Sequence, residues 1–136
     1  MKLVSTLGLA AVLGTLTAPA FAQEGDPGEG QNIWQRNCRQ CHIVDADRRS
    51  RPTGPNLYGV IGREIASRED YASMGRGYSD AFLAKKEEGF VWTKEVLFEY
   101  LHNPREYIEG TNMVFAGLKD DQDVRDVIAY IEQESQ

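Results

Sequence analysis

Two cysteines stand two residues apart with a histidine directly after them, in Cys38-Arg39-Gln40-Cys41-His42, and the chain has no other cysteine. A disulfide across so short a gap would close a tiny loop and constrain the unfolded chain little. A zinc site needs four ligands, and outside this pentapeptide only His102 and carboxylates are on offer. A thioredoxin-type dithiol wants a βαβ setting, which the sequence pattern does not supply. The spacing suits C-x-x-C-H attachment of haem c. Two thiols one helical turn apart can each add to one vinyl group of the same porphyrin. His42 then lies under the ring, where it can ligate the iron. A buried structural histidine is the plainer alternative, weakened because His42 immediately follows the second thiol.

A second axial ligand must come from elsewhere in the chain. Met74 sits in a polar, glycine-flanked stretch and reads as an exposed loop residue. Met113 lies in Gly110-Thr111-Asn112-Met113-Val114-Phe115-Ala116-Gly117, an apolar run without helical periodicity. That setting suits a loop laid across a haem face, although a core methionine fits it too. His102, beside Asn103-Pro104, is a third candidate. A His/Met pair raises the potential and leaves iron no open position, which suits electron transfer better than oxygen or peroxide chemistry.

The elements that position these groups are helical. With 136 residues, one domain is expected. Lys2, the apolar run Leu3 to Leu16 and Ala20-Phe21-Ala22 read as an export leader cleaved before Gln23. The domains are therefore a leader at 1–22 and a single haem domain at 23–136, exported to the periplasm. The leader carries one of the chain's 15 basic residues, Lys2, and no acid, so the mature chain has 14 basic and 21 acidic residues, a net charge of −7. That charge argues against nucleic acid as a partner. No later apolar stretch suggests a membrane anchor.

Asp26-Pro27-Gly28-Glu29 has the chemistry of a helix start, and a helix is expected to about Arg39 with Gly30, Ile33, Trp34 and Asn37 on one face. Residues 43–57 read as loop. A short helical turn is expected at Asn56 to Ile61, and an irregular polar stretch from Glu64 to Gly77. Helices are expected from Ser79 or Asp80 to Glu88, from Lys94 to His102 behind a Thr93 cap and ended by Asn103-Pro104, and from Asp120 to Gln133. Thr111 to Leu118 reads as a buried loop. The class is all-α, with four to five helices and long loops around one haem.

From about Gly25 to Ile131 the chain resembles the class I cytochromes c, in particular the mitochondrial cytochrome c and bacterial cytochrome c2 group. The resemblance rests on ordered blocks: Cys38-x-x-Cys41-His42, Thr53-Gly54-Pro55-Asn56-Leu57, Gly62-Arg63, Tyr78-Ser79-Asp80-Ala81, Trp92, Tyr100-Leu101-x-Asn103-Pro104, Tyr107, Gly110-Thr111-x-Met113-x-Phe115-Ala116-Gly117 and Ile128-Ala129-Tyr130. It implies haem thioethers at Cys38 and Cys41 and axial ligands His42 and Met113. The Pro55 carbonyl would accept the free ring N–H of His42. Arg63, Tyr78 and Trp92 would hold the haem propionates. Tyr100 and Thr111 would sit near the Met113 sulfur, and Phe115 would cover the haem edge. Gly30 and Tyr130 would mark the helix crossing.

The resemblance also implies a function. The chain would be a monomeric single-electron carrier rather than an enzyme, docking transiently with a quinol–cytochrome c reductase and with an oxidase or photosynthetic reaction centre. A dedicated haem subunit of a periplasmic dehydrogenase is the alternative. A peroxidase or gas sensor would need an open sixth site. Three departures stand out. The Arg63–Tyr78 gap is longer than in mitochondrial members. Phe82 replaces a usual asparagine. Lysines are few, with Glu106, Asn112, Asp120 and Asp121 where basic residues are usual. Arg36, Arg39, Arg105 and Lys119 leave a smaller positive patch, and weaker electrostatic steering is expected.

Overall fold

Asp26 begins the first helix as its chemistry dictates. Its carboxylate accepts from the backbone N–H of Gly28 at 2.7 Å and of Glu29 at 3.4 Å, and Pro27 occupies the first turn, where a missing N–H costs nothing. The computed structural model describes residues 24–136, so the leader expected at 1–22 lies outside the described residues. Helix α1 is Pro27–Asn37, α2 Glu69–Ala72, α3 Asp80–Glu87, α4 Lys94–His102, α5 Pro104–Tyr107 and α6 Asp121–Glu134. Among the described residues there is no strand, only isolated bridges at Arg51–Gly54 and Glu64–Val91. The class is all-α, as expected. The helices not foreseen from sequence are α2 and α5, each of a single turn.

Helices α1 and α6 cross closely. Gly30 makes this possible, because a Cβ there would lie 2.8 Å from the Cβ of Tyr130 and would collide with the Asp126 backbone. Trp34 meets Tyr130 with ring centroids 5.9 Å apart. Val124, Val127, Ile128 and Ile131 form the buried face of α6. Asn37, expected on the buried face of α1, is exposed. It lies at the helix end, where its side chain donates to the Ile33 carbonyl at 3.1 Å. The Asp126 carboxylate is buried and accepts from Asp26 N–H at 2.7 Å, tying the start of α1 to α6. Helix α4 packs Leu97, Tyr100 and Leu101 inward behind a Thr93 cap. Asn103-Pro104 ends it as expected, and Pro104 then serves as the first residue of α5.

Two loop expectations are corrected. Asn56 to Ile61 forms turns rather than a helical turn, because Gly59 and Gly62 take φ of +66° and +83°. Asn56 is fully buried and organises the preceding loop, donating to the carbonyls of Asp45 and Arg48 at 2.7 Å each and accepting from Tyr58 N–H at 2.9 Å. Residues 64–77 are more ordered than their polarity suggests. Ile65, Ala66 and Tyr71 are buried, and Ile65 N–H donates to the Phe90 carbonyl at 2.9 Å. Thr111 to Leu118 is irregular as expected but not uniformly buried: Leu118 is buried, while Val114 is 83% exposed.

Candidate haem site

The end of α1 aims the first three groups. Cys38 caps the helix, its N–H donating to the Trp34 carbonyl at 2.9 Å, and the Cys38 carbonyl accepts from Cys41 N–H at 3.1 Å and His42 N–H at 2.9 Å. This tight turn places Cys38, Cys41 and His42 on the wall of one cleft of ≈ 490 Å³. No disulfide joins Cys38 and Cys41. Burial, with a smaller contribution from Cys41, pushes the Cys38 thiol up to about 12. Reactive dithiols have lowered values, so Cys38 lacks the electrostatics of a redox dithiol. Among the described residues no three His, Cys, Asp or Glu side chains converge as a metal-binding cluster.

His42 is held from behind. Its Nδ1 lies 2.8 Å from the Pro55 carbonyl, which can only accept, so Nδ1 carries the hydrogen and Nε2 keeps its lone pair. Burial lowers the imidazole pKa against the opposing effect of that hydrogen bond, with Arg51 lowering it further. The neutral form is the ligating form. Gly54 is required here, because a Cβ would stand 2.7 Å from His42 Cε1 and 2.8 Å from Nδ1. Thr53 Oγ1 donates to the Cys41 carbonyl at 3.1 Å, and Arg51 donates to the carbonyls of Arg39 and Gln40 at 2.6 and 3.3 Å.

The loop after α5 brings Thr111, Met113 and Phe115 to the same cleft. The Tyr100 hydroxyl on α4 donates to Met113 Sδ at 3.3 Å and lies 3.3 Å from Thr111 Oγ1, which accepts from Met113 N–H at 3.2 Å. Burial pushes Tyr100 up to about 12, so the hydroxyl stays protonated and able to donate. Neither other candidate ligand lines the cleft. His102 sits beside α6, with Nε2 3.2 Å from Asp121 Oδ1 but not aligned for a hydrogen bond.

Arg63, Tyr78 and Trp92 also line the cleft. Arg63 donates to the carbonyls of Tyr58 at 2.9 Å and Asn56 at 3.1 Å, and no carboxylate pairs with it among the described residues. Burial lowers its pKa. A half-buried guanidinium with only neutral partners favours an anionic group nearby. Phe82 joins the Tyr78, Trp92 and Tyr100 rings, with centroids 6.3, 6.0 and 6.3 Å away, in one aromatic cluster. Two thiols, a neutral imidazole, a hydrogen-bonded thioether, an unpaired guanidinium and apolar walls together fit haem c.

The turn that Gly75 and Gly77 suggest in sequence is present and completes one wall of the cleft; sequence reasoning missed that role, Tyr71 beside it, and Gly54 as the backing of His42. Tyr71 carried a signal only as an aromatic in a polar stretch. The expected positive patch is smaller than its residues suggest, because Lys119 Nζ is drawn onto the carbonyls of Ala116 and His102 at 2.8 and 3.0 Å.

The family model for cytochrome c matches residues 28–135. The chain is 48% identical to cytochrome c type-1 of Ascaris suum over 82% of its own length and 90% of the relative's. It is 49% identical to cytochrome c 2.1 of Caenorhabditis elegans, covering 82% and 91% of the two chains. It is 47% identical to cytochrome c of Theileria annulata, covering 82% and 89%. The chain therefore belongs to the cytochrome c family of haem c electron carriers.

Proposed function

We infer that the protein is a periplasmic single-electron carrier with one haem c, joined through Cys38 and Cys41 and ligated by His42 and Met113. The observation that carries this is the meeting of all four residues on one cleft, with Met113 Sδ already fixed by the Tyr100 hydroxyl. Bound haem c supplies reversible Fe(III)/Fe(II) exchange. The residues supply the rest. Pro55 sets the His42 tautomer and donor strength. Tyr100 and Thr111 hold Met113 in place, so its sulfur needs little rearrangement when charge changes. Arg63, Tyr78 and Trp92 receive the propionates, and Phe115 covers the haem edge. No substrate bond is made or broken, which is why a carrier is favoured over an enzyme.

The exported location rests on the leader sequence alone, since the relatives named above are eukaryotic. Among the described residues no helix is long and apolar enough to cross a membrane. A membrane quinol–cytochrome c reductase as donor, and an oxidase or photosynthetic reaction centre as acceptor, would meet a chain in which Lys119 is drawn onto its own carbonyls. Redox titration tests the carrier reading. One reversible one-electron wave, with no carbon monoxide binding to the ferrous protein, is expected. Ready binding of carbon monoxide would instead mean an open sixth position and different chemistry.

A further inference from the structure

The stretch between Arg63 and Tyr78 is longer here than in mitochondrial members, and it builds a wall of the cleft. It is fastened from outside. Asp70 accepts from Ser50 N–H at 2.6 Å and from Arg68 Nε and Nη2 at 2.9 and 3.1 Å. Arg68 N–H donates to the Tyr78 hydroxyl at 3.3 Å, and the rings of Tyr71 and Tyr78 meet edge-on at 4.9 Å. Gly75 and Gly77, at φ of +50° and +60°, then turn the chain back alongside Pro52. Between those glycines stands Arg76, which lines the cleft.

The cations around this wall have different partners. Arg51 holds the carbonyls of Arg39 and Gln40, Arg63 those of Tyr58 and Asn56, and Arg68 the Asp70 carboxylate. Arg76 makes no ion pair or side-chain hydrogen bond among the described residues. A fastened loop thus presents one unpaired guanidinium at the rim of a cleft that fits a cofactor bearing two carboxylates. We propose that Arg76 is a second cation, beside Arg63, for the haem propionates, and that it raises the reduction potential of this chain. The proposal rests on the haem c reading of the cleft. Guanidinium stays charged at every ordinary pH, so it stabilises the less positive ferrous state throughout and keeps the nearby propionate ionised.

The test is the reduction potential of the holoprotein from pH 5 to 9, for the parent, Arg76→Gln and Arg76→Lys. Arg76 is exposed, so the substitution leaves the core intact. In Arg76→Gln the equilibrium constant for reduction is expected to fall about threefold, or ~28 mV at 59 mV per tenfold. The variant should also gain a downward slope with rising pH as the propionate titrates, and Arg76→Lys should restore most of both. Unchanged potential and slope in Arg76→Gln would overturn the proposal. If only the salt dependence of electron transfer changed, Arg76 would be a docking residue instead. Protein that carries no covalent haem would remove the haem reading itself, a separate failure.

Discussion

The α1/α6 crossing and the loop-built cleft hold their shapes by different means. At the crossing, Gly30, Ile33 and Trp34 meet Val124, Val127 and Tyr130, and the contact is side-chain packing set by helical spacing. Around the cleft, residues 43–77 and 110–118 are held largely by side chains bonded to backbone: Asn56 to three segments of its own loop, Arg51 to the attachment motif, Thr111 to Met113 N–H. A packed crossing can fold on its own pattern. Loops of this kind close around what they hold, and their stability should depend on it.

The sharpest way to break this contrast is to prevent haem attachment. Replacing Cys38 and Cys41 together with serine should cost more than ~5 kcal/mol, most of the stability of a small domain. Hydrogen exchange should show protection lost first in 43–77 and 110–118, and last at the α1/α6 crossing. Equal loss everywhere would mean that the two regions form one unit. Next in size, Asn56→Ala removes several buried hydrogen bonds and leaves carbonyls unpaired, at about 3 kcal/mol by urea denaturation. Its damage should be confined to the loop side and shift the redox potential.

Gly30→Ala should cost about 2 kcal/mol from forced separation of α1 and α6, partly offset by alanine's helix preference. Here the potential should shift less than in Asn56→Ala, because Gly30 lies about two turns before Cys38 at the end of α1. A smaller effect is expected at Asp70. The Arg68 hydrogen bonds, helped by Ser50 and opposed by burial, hold its carboxyl well below the usual range. A depressed carboxylate stabilises the fold above its unfolded value of about 4, and the contribution is lost as pH falls below that. Asp70→Asn should therefore cost about 1 kcal/mol at neutral pH. The gap to the parent should narrow with acidification below about pH 4, as thermal melts across pH would show.

The same contrast explains what could be read from sequence. The longer helices were legible because Val124, Val127, Ile128 and Ile131 repeat at helical spacing and Asp26, Thr93 and Asp120 carry capping chemistry, while the crossing itself, at Gly30 and Tyr130, came from the family resemblance. Cys38, Cys41 and His42 were legible because covalent attachment fixes their spacing in the chain. Placing Met113 among three candidate ligands, and giving Pro55, Arg63, Tyr78, Trp92, Tyr100, Thr111 and Phe115 roles, required the family resemblance, since no local periodicity joins residues so distant. The wall at 64–77 was not legible. Its order comes from Asp70 reaching Ser50 and from Ile65 bonding Phe90, contacts that leave no pattern in a polar stretch. Nor did sequence show that Lys119 is drawn onto carbonyls rather than left for a partner.

The central claim is that the cleft holds a haem bound through Cys38 and Cys41. Mass spectrometry of the denatured, purified protein tests it most directly. One haem should remain on the chain under denaturing conditions, mapped to the peptide containing residues 38–42, with neither cysteine open to thiol reagents. Release of the haem on denaturation, or two freely alkylated cysteines, would contradict it.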